Sequence, residues 1–519
     1  MACEKQKYDV VIVGAGVVGC TTAYRLATHP ALQQTPLRIA IVERNLGEPD
    51  RIVGELLQPG GKHLLERLGM AAAFDNIDAA PTNGYCVLDC TRMRPGEDTR
   101  SDAGTIAGIA FHHGRFIMRL RELAAGCPNV DLFEGTVADL VEADFQAGHV
   151  RGVRYSSKGA ADGMRNTLLA PLTIVADGCF SNFRERVMGT GPSHLIRPTV
   201  RSHFVGMVVR GLQLPHAQHG TVCLIAGQGP VLLYQIDSGK RFEHRWMGLT
   251  GTRMLVDVRA PFPADLKAHI AQHVVPGLPA DLRAPILETL DDPGVRLRRM
   301  PNSFMPGAPQ HEWTLRDAPF PLNVSKTGVI LMGDAYNMRH PLTGGGMLCC
   351  FEDVLDVSDS IADVIKQTPA EALDDWEKIN RDVLMRWYFA RKPLTATVNI
   401  LSVALYDLFG AEDRNLAVLR RGCFRYFERG GRCTQEPVGI LAGLYPRPLL
   451  LMRHFFTVAF YAICVMFREG DVVSGDQDSG ESYPRLLVRS VSVFWTACVV
   501  FLPLLWTEVR WWTPRQVGE

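Results

Sequence analysis

The stretch YDVVIVGAGVVG, residues 8–19, decides the fold of the N-terminal part of the chain. Its first half is a continuous apolar run, typical of a strand that is buried on both faces of a parallel sheet. Gly14, Gly16 and Gly19 follow in the order G-x-G-x-x-G, and a helical pattern begins directly after them. The first glycine allows a tight turn, the second lets a pyrophosphate approach the backbone, and the third lets the helix pack on the strand. This order predicts a dinucleotide-binding βαβ unit.

An acidic residue at the end of the next strand supports this prediction. The run LRIAIVE ends at Glu43, 24 residues beyond Gly19. This is close to the usual distance for an acid that bonds the hydroxyl groups of an adenosine ribose. The alternative is a structural glycine turn in an unrelated α/β protein. The motif by itself does not distinguish NAD from FAD.

Two later stretches point to FAD. They are LTIVADGCFSNFRE, residues 172–185, and GVILMGDAYNMRHPLTGGGM, residues 328–347. Each begins with a strand that ends in Asp-Gly or Gly-Asp, and together they resemble the two distal fingerprints of flavin-dependent monooxygenases of the hydroxylase type. The resemblance implies that Asp334 helps to bind the ribityl and pyrophosphate groups, although a plain helix cap is the bland alternative. The glycines 344–346 open a helix whose free N–H groups and dipole suit a polarised or anionic flavin ring.

Four further motifs narrow the resemblance. They are DRIVGELLQPGG at 50–61, NGY at 83–85, FHHGRFIMRLRE at 111–122 and GDAYNMRHPLTGGGM at 333–347. Together they resemble the squalene monooxygenase (squalene epoxidase) family, and the resemblance runs from about Tyr8 to the C-terminus. It implies an α/β fold in which a Rossmann-like FAD-binding domain of the hydroxylase type is interleaved with a β-sheet substrate domain. A C-terminal helical membrane-binding region would follow.

The resemblance also implies a set of cofactor contacts. Arg51 would reach the FAD phosphates from the loop after the second strand, and Arg115 would be a second FAD-side arginine at the start of a helix. A surface position is the alternative for Arg51, since most arginines are exposed. The full expected set of cofactor-binding residues is Gly14, Gly16, Gly19, Glu43, Arg44, Arg51, Arg115, Val137, Asp177, Asp334, Gly344, Gly345, Gly346 and Met347.

The segment VGELLQPGG would then contribute to the site of oxygen transfer. The resemblance implies that Tyr85 lies beside the flavin and the substrate, with Gln58 as its hydrogen-bond partner, so these two residues are the catalytic candidates. An ordinary core tyrosine is the alternative for Tyr85, and Glu55 is interpreted as a structural acid. The expected substrate pocket consists of Leu56, Leu57, Tyr85, Pro341 and Leu342.

Composition excludes several other functions. The formal net charge is zero, so the chain lacks the basic excess that nucleic-acid binding needs. The thirteen cysteines lack the paired spacing of zinc sites, and we expect structural roles for His112 and His113 and no metal. An odd number of cysteines, with no secretory signal fitting ahead of the strand that begins by Tyr8, predicts reduced thiols in a cytosol-facing protein.

The resemblance and the pattern of apolar runs predict three regions. The FAD-binding domain is expected at 7–81, 110–192 and 322–392, and the substrate domain at 82–109 and 193–321. In the substrate domain the runs HFVGMVV, GPVLLYQI and MLVDVR predict strands. The polar stretch 240–253 is interpreted as an inserted surface loop. The helical, membrane-associated region is expected at 393–519.

Two apolar runs mark that last region. They are HFFTVAFYAICVMF at 454–467 and SVSVFWTACVVFLPLLWT at 490–507, with the polar segment 468–482 between them. The second run would make about 27 Å of helix, the lower edge of what spans a bilayer. Arg489, Glu508 and Arg510 bracket it, and Trp506, Trp511 and Trp512 suit an interface. Because the first run is short, a hairpin embedded in one leaflet is favoured over a spanning helix or a buried soluble pair.

The resemblance finally implies an activity. Reduced FAD would activate O₂, and one oxygen atom would pass to a terminal alkene of squalene, giving (S)-2,3-oxidosqualene for sterol biosynthesis. Electrons would come from NADPH through NADPH–cytochrome P450 reductase. The enzyme would lie in membrane lipid on the cytosolic face of the endoplasmic reticulum, attached through its C-terminal helices.

Two alternatives stay open. One is a related flavin hydroxylase or prenyl-chain reductase acting on another lipid, which should lack VGELLQPGG together with MRHPLTGGGM. The other is a non-catalytic flavin-fold escort for prenylated proteins, which predicts degenerate flavin contacts.

Overall fold

The computed structural model describes residues 5–90, 99–102, 107–143, 146–159, 165–189, 197–239, 250–310, 326–368, 372–410, 413–469 and 483–509. The stretch 240–249 of the expected insertion, most of the polar segment 468–482, Arg510, Trp511 and Trp512 lie outside these residues.

The strands form three sheets. In chain order they are β1 (Lys5–Lys7), β2 (Val10–Val13), β3 (Ile39–Glu43), β4 (Leu56–Leu57), β5 (Ala80–Thr82), β6 (Gly84–Asp89), β7 (Thr99–Asp102), β8 (Gly108–Ala110), β9 (Val130–Ala143), β10 (Gln146–Ser157), β11 (Asn166–Leu169), β12 (Leu172–Val175), β13 (Thr199–Arg210), β14 (His219–Leu224), β15 (Val231–Gln235), β16 (Gly251–Val258), β17 (Arg298–Phe304) and β18 (Val329–Leu331).

The α-helices cover the sheets and form the C-terminal region. They are α1 (Val17–Thr28), α2 (Pro59–Arg67), α3 (His113–Ala125), α4 (Arg184–Met188), α5 (Leu266–His269), α6 (Ala280–Asp291), α7 (Gly346–Gln367), α8 (Trp376–Lys378), α9 (Arg386–Ala390), α10 (Lys392–Phe409), α11 (Arg414–Phe427), α12 (Arg432–Leu441), α13 (Pro448–Glu469) and α14 (Tyr483–Val509).

The first sheet has the order β1-β11-β10-β9-β3-β2-β12-β18. Strand β2 pairs in parallel with β3 and β12, while β9, β10 and β11 form an antiparallel meander on one side. All four residues of β2 are buried, as expected for a strand with both faces covered. The predicted α/β dinucleotide fold is therefore confirmed.

The second sheet has the order β17-β13-β16-β15-β14-β6-β7. Gly251, Thr252 and Arg253 are buried residues of β16, so the expectation of a surface loop is wrong for the end of the stretch 240–253. Side chains alternate along the strands of this sheet, because successive residues point to opposite faces. One face, which includes Val205 and Val256, packs in a core with Ile286 of α6. The opposite face, which includes Phe204 and Leu255, packs towards the C-terminal helices.

The two sheets alternate along the chain. The first sheet takes strands from 5–175 and 329–331, and the second takes strands from 84–102 and 199–304. The small sheet β4-β8-β5 lies in the stretches that connect them. This arrangement agrees with the expected interleaving, while the domain boundaries themselves stay a prediction.

Helices α13 and α14 pack against each other as an antiparallel pair. The ring centroids of Phe455 and Phe501 lie 4.5 Å apart, and those of Phe460 and Phe494 lie 5.2 Å apart. Both helices are long and apolar enough to cross a membrane, and the bent pair α10 and α11 would add a third span if it acted as one. Helix α13 has 22 residues and extends beyond the apolar run 454–467, so shortness of the first run no longer favours the one-leaflet arrangement.

Candidate functional site

The glycine-rich loop after β2 has the geometry of a pyrophosphate cradle. A Cβ at Gly14, whose φ is +102°, would lie 2.6 Å from the carbonyl oxygen of Ala176, and one at Gly19 would lie 1.9 Å from that of Gly14. A Cβ at Gly16 would meet no atom of the described residues within 4 Å. Gly14 and Gly19 therefore serve close packing, and Gly16 leaves open space for a ligand.

A cavity of about 1110 Å³ begins at this loop, at the carboxyl ends of β2, β12 and β18. Ligands of open α/β sheets bind at this edge. The expected cofactor residues that line the cavity are Gly14, Gly16, Glu43, Arg44, Arg51, Val137, Asp177, Asp334, Gly344, Gly346 and Met347. Gly19 and Gly345 do not line it. A Cβ at Gly345 would lie 2.4 Å from Cγ1 of Val398, so Gly345 serves the packing of α10.

The arginine on α3 that faces this cavity differs from the expected one. The guanidinium of Arg115 lies 3.8 Å from the carboxylate of Asp78, outside the residues that line the cavity. Arg121 is buried instead against the dinucleotide loop, where its Nε donates to the carbonyl oxygen of Ala15 (2.9 Å). Positions 115 and 121 are six residues apart and point to different sides of a helix.

Helical spacing was the signal that could have identified Arg121. His113, Ile117 and Arg121 succeed one another at intervals of four, share one face of α3 and all line the cavity. Glu43 supports the same residue of the loop, since its Oε2 accepts a hydrogen bond from the backbone N–H of Ala15 (2.8 Å) and lies 3.9 Å from Nη2 of Arg121.

The loop after β12, which carries Asp177, and the loop after β18, which carries Asp334, contact each other at the cofactor end of the cavity. Asp177 accepts a hydrogen bond from the backbone N–H of Asn182 (3.1 Å), and its buried Oδ1 has no hydrogen-bond partner among the described residues. Burial raises the pKa of this carboxyl group. Arg184, which the sequence did not single out, donates to the carbonyl oxygens of Ala335 (2.8 Å) and Asp334 (2.9 Å) and so ties the loops together.

Helix α7 starts at the same end of the cavity. Gly344 has a φ of +61°, and in the part of the chain that the structure describes a Cβ at Gly346 would meet no atom within 4 Å. Among the described residues, no side chain caps the helix. The first N–H groups of a helix have no partner within it, so they are available to a ligand. The cradle at Gly16, the unpartnered Oδ1 of Asp177 and this helix start together fit FAD.

Tyr85 and Gln58 lie where the cofactor end meets the rest of the cavity. Both line it. Burial raises the pKa of the Tyr85 hydroxyl, and a hydrogen bond with the Gln58 side chain opposes that rise. Gln58 also donates to the carbonyl oxygen of Thr343 (2.6 Å). The two catalytic candidates are therefore brought together and tied to the turn that precedes α7.

The remaining walls of the cavity are mainly apolar, with Thr221, Glu428, Thr434 and Gln435 as polar residues among them. Leu56, Pro341 and Leu342 line it as expected, whereas Leu57 is fully buried and would contact a Cβ at Gly61. One wall is the second sheet and the other is formed by α10, α11 and α12, which the sequence did not identify as part of the site. The lining residues of those helices include Leu401, Leu405, Phe409, Phe424, Phe427, Val438 and Leu441.

Several polar side chains near the cavity have structural partners. Glu55 forms two hydrogen bonds with Arg253, His112 contacts Asp237 (3.1 Å), and His113 Nδ1 lies 2.9 Å from the carbonyl oxygen of Gly54. The adjacent histidines thus have separate partners. In the part of the chain that the structure describes, no group of three or more His, Cys, Asp or Glu residues is placed to hold a metal, and the described cysteines are free thiols.

Comparison with protein families agrees with this geometry. A family model described as squalene epoxidase matches residues 169–476, and one described as FAD dependent oxidoreductase matches residues 9–50. The squalene monooxygenase of Mus musculus is 37% identical over 97% of this chain and 78% of its own length. The squalene epoxidase of Aspergillus fumigatus is 36% identical over 96% of this chain and 93% of its own length, and squalene epoxidase 1 of Arabidopsis thaliana is 39% identical over 88% and 77%.

Solved structures share the fold at low sequence identity. The flavin-dependent brominase Bmp2 has a TM-score of 0.59 and 15% identity, covering 87% of this chain and 99% of the brominase. The p-nitrophenol 4-monooxygenase PnpA of Pseudomonas putida has a TM-score of 0.59 and 15% identity, covering 86% and 100%. These two enzymes therefore share the overall fold of this chain.

Proposed function

Since the chain belongs to the squalene epoxidase family, we propose that it is an FAD-dependent monooxygenase that epoxidises squalene to 2,3-oxidosqualene in sterol biosynthesis. The observation that carries this proposal is one continuous cavity, which joins a polar dinucleotide end to long, mainly apolar walls. A hydrocarbon substrate has no group that can form a hydrogen bond. The shape of the cavity must therefore position it, and the apolar walls must exclude water.

The residues at the dinucleotide end are proposed to hold FAD. Gly16 would leave room for the pyrophosphate, and Glu43 would bond the adenosine ribose. Asp177 and Asp334 would bind the hydroxyl and phosphate groups between the rings. When bound and reduced, FAD supplies activated O₂ for transfer of one oxygen atom to an alkene. The start of α7 would stabilise negative charge on the flavin ring.

Tyr85 and Gln58 are proposed to position the reacting groups. They lie between the cofactor end and the apolar walls, and Gln58 holds the tyrosine relative to the turn at Thr343. Leu56, Leu342 and the helix side chains would exclude water from this junction, because water would release peroxide in place of epoxide.

Electrons are proposed to come from NADPH through a separate flavoprotein reductase, in keeping with the implied role of NADPH–cytochrome P450 reductase. Among the described residues, β2 and α1 enclose one glycine-rich dinucleotide loop, at Gly14–Gly19. One such loop serves one dinucleotide. Reduction of the flavin by NADPH alone, at a rate that matches turnover, would contradict this part of the proposal.

The membrane is proposed to deliver squalene. Helices α10, α11 and α12 line the cavity on one side and pack on α13 and α14 on the other. Large apolar side chains on the outer surface of the pair are exposed, among them Leu449, Val488 and Trp495. We assign these helices to the cytosolic face of the endoplasmic reticulum membrane, where squalene would enter from lipid.

The test uses the full-length protein purified in detergent. Its visible spectrum is recorded, squalene, O₂, NADPH and a cytochrome P450 reductase are added, and the epoxide is sought by mass spectrometry. Flavin bands and 2,3-oxidosqualene are expected. Flavin bands without epoxide would leave a monooxygenase that acts on another lipid, and folded protein without flavin would favour a non-catalytic escort.

A further inference from the structure

Arg339 is a buried arginine at the cofactor end of the cavity. Its Nε donates to Oδ1 of Asn399 (2.9 Å), its Nη1 to the carbonyl oxygen of Gly346 (3.1 Å) and its Nη2 to Oδ1 of Asn337 (2.6 Å). Gly346 is the first residue of α7. The position of this guanidinium therefore bears directly on the helix start that is proposed to meet the flavin.

The orientation of Asn399 is fixed from its other end by Glu508. Nδ2 of Asn399 donates to Oε1 of Glu508 (2.7 Å), and Nζ of Lys392 donates to Oε2 of the same carboxylate (3.0 Å). With Nδ2 on the carboxylate, Oδ1 of Asn399 can only face Arg339. A chain of three hydrogen-bonded contacts thus runs from α14 to the start of α7.

Glu508 is an unexpected residue at this point of α14. It lies in the last turn, where the helix dipole disfavours an acid. It is 5% exposed, whereas the neighbouring buried residues of α14, Phe501 and Leu504, are apolar. Burying a carboxylate is costly, and an apolar side chain would dock the helix as well or better. Docking alone therefore does not account for a carboxylate here.

We propose that Glu508 is a positioning residue for the cofactor site. Through Asn399 it holds Arg339 and, through Arg339, the start of α7, so that the carboxylate of Glu508 sets how tightly the site holds FAD. The inference rests on the placement of FAD given above.

The test compares two double variants in detergent, both carrying Lys392→Met so that neither retains the ion pair. Glu508→Gln keeps a carbonyl oxygen for Asn399 to donate to, and Glu508→Leu removes it. The dissociation constant of FAD is measured by quenching of flavin fluorescence on the apoprotein, and the reduction potential of the bound flavin is measured in parallel. The Leu variant is expected to bind FAD about tenfold more weakly than the Gln variant, the equivalent of about 1.4 kcal/mol.

Phe501→Ala serves as the matched control, because it weakens the docking of α14 without touching these polar groups. It should leave the FAD dissociation constant within about twofold of the unmodified protein. Equal FAD affinity in the two double variants, or equal weakening by Phe501→Ala, would overturn the inference. If the Leu variant does not fold, Asn399→Ala replaces it under the same criterion. Failure of the unmodified apoprotein to bind FAD would instead contradict the proposed cofactor site.

Discussion

Glu55 and Arg253 form a buried two-pronged ion pair between the loop before β4 and the centre of the second sheet. Nε of Arg253 donates to Oε2 of Glu55 (2.6 Å) and Nη2 donates to Oε1 (2.8 Å). Both side chains are almost fully buried, and Glu55 also lines the cavity. The pair joins the segment that carries Gln58 to the sheet that carries Tyr85.

Removal of one partner of this pair should destabilise the protein strongly. Glu55→Ala leaves the Arg253 guanidinium buried without its carboxylate, and we expect a loss of about 3–5 kcal/mol in the free energy of unfolding. The paired variant Glu55→Leu with Arg253→Met should lose less free energy of unfolding than Glu55→Ala. Chemical denaturation followed by tryptophan fluorescence measures both, and a larger loss in the paired variant would contradict this account.

Tyr85→Phe and Gln58→Ala should lower turnover while FAD stays bound. Gln58 holds the tyrosine hydroxyl and the turn at Thr343, so its loss misplaces the reacting groups, and we expect kcat to fall roughly 10- to 100-fold. The ratio of epoxide formed to hydrogen peroxide released should fall in parallel. Visible spectra at saturating FAD provide the control, and an unchanged ratio would argue for an ordinary core tyrosine.

The arginines of α3 should differ in their effect on FAD binding. Arg121→Ala removes hydrogen bonds to the carbonyl oxygens of Ala15 and Gly47, and the loss of such bonds from a charged group costs about 1.5–3 kcal/mol. We therefore expect FAD affinity to fall more than tenfold, a factor of ten being about 1.4 kcal/mol. Arg115→Ala is the matched control and should change it little. Flavin fluorescence quenching on the apoprotein measures both, and the reverse order would restore Arg115 as the cofactor arginine.

His113 should make the protein sensitive to mild acid. Burial, and next the nearby Arg51 guanidinium, lower the pKa of His113 to about 4. The unfolded chain binds a proton at this residue below its ordinary pKa of 6.5, while the folded protein does not until about pH 4. The contribution of neutral His113 is therefore complete above pH 6.5 and is lost as the pH falls towards 4.

Between pH 6.5 and pH 4, protonation of His113 in the unfolded chain should thus lower the free energy of unfolding of the unmodified protein by up to about 1.4 kcal/mol per pH unit. His113→Gln keeps a donor for the carbonyl oxygen of Gly54 and removes the titration. Urea unfolding of both proteins at several pH values measures the difference. Parallel stability curves between pH 4 and 6.5 would show that His113 does not contribute.

The outer surface of α14 should determine membrane binding. Val488 and Trp495 are 73% and 69% exposed and lie seven residues apart, on one side of the helix. Burial of such side chains contributes about 1.5–3 kcal/mol each, so Val488→Asp with Trp495→Asp should weaken binding to phospholipid vesicles at least tenfold, which corresponds to about 1.4 kcal/mol. Co-sedimentation measures this, and a retained flavin spectrum shows that the fold is intact. Undiminished binding would place the membrane contact elsewhere.

The parts of the fold that depend on local pattern could be predicted from the sequence. The loop at Gly14, Gly16 and Gly19 and the acid at Glu43 are fixed by spacing within one βαβ unit, and the structure places them together. Arg121 required a decision about which face of a helix meets the loop. Motif matching alone could not make that decision.

The rest depends on contacts that no local pattern encodes. Leu401 and Phe424 become walls of the cavity only because α10 and α11 pack over the second sheet. Glu508 was expected to flank an apolar run at a membrane boundary, but its partner Lys392 lies 116 residues earlier in the chain. Such pairings are determined by tertiary packing.

The close approach of α11 and α13 has a practical consequence. A Cβ at Gly422 would lie 2.2 Å from that of Ala462, so the two helices touch backbone to backbone, and no spacer separates the cavity wall from the apolar pair behind it. The apolar helices α13 and α14 and the cavity wall are thus one packed unit. Deleting α13 and α14 to obtain a water-soluble enzyme should remove the helices against which the cavity wall packs. The choice of detergent should likewise alter substrate affinity as well as solubility.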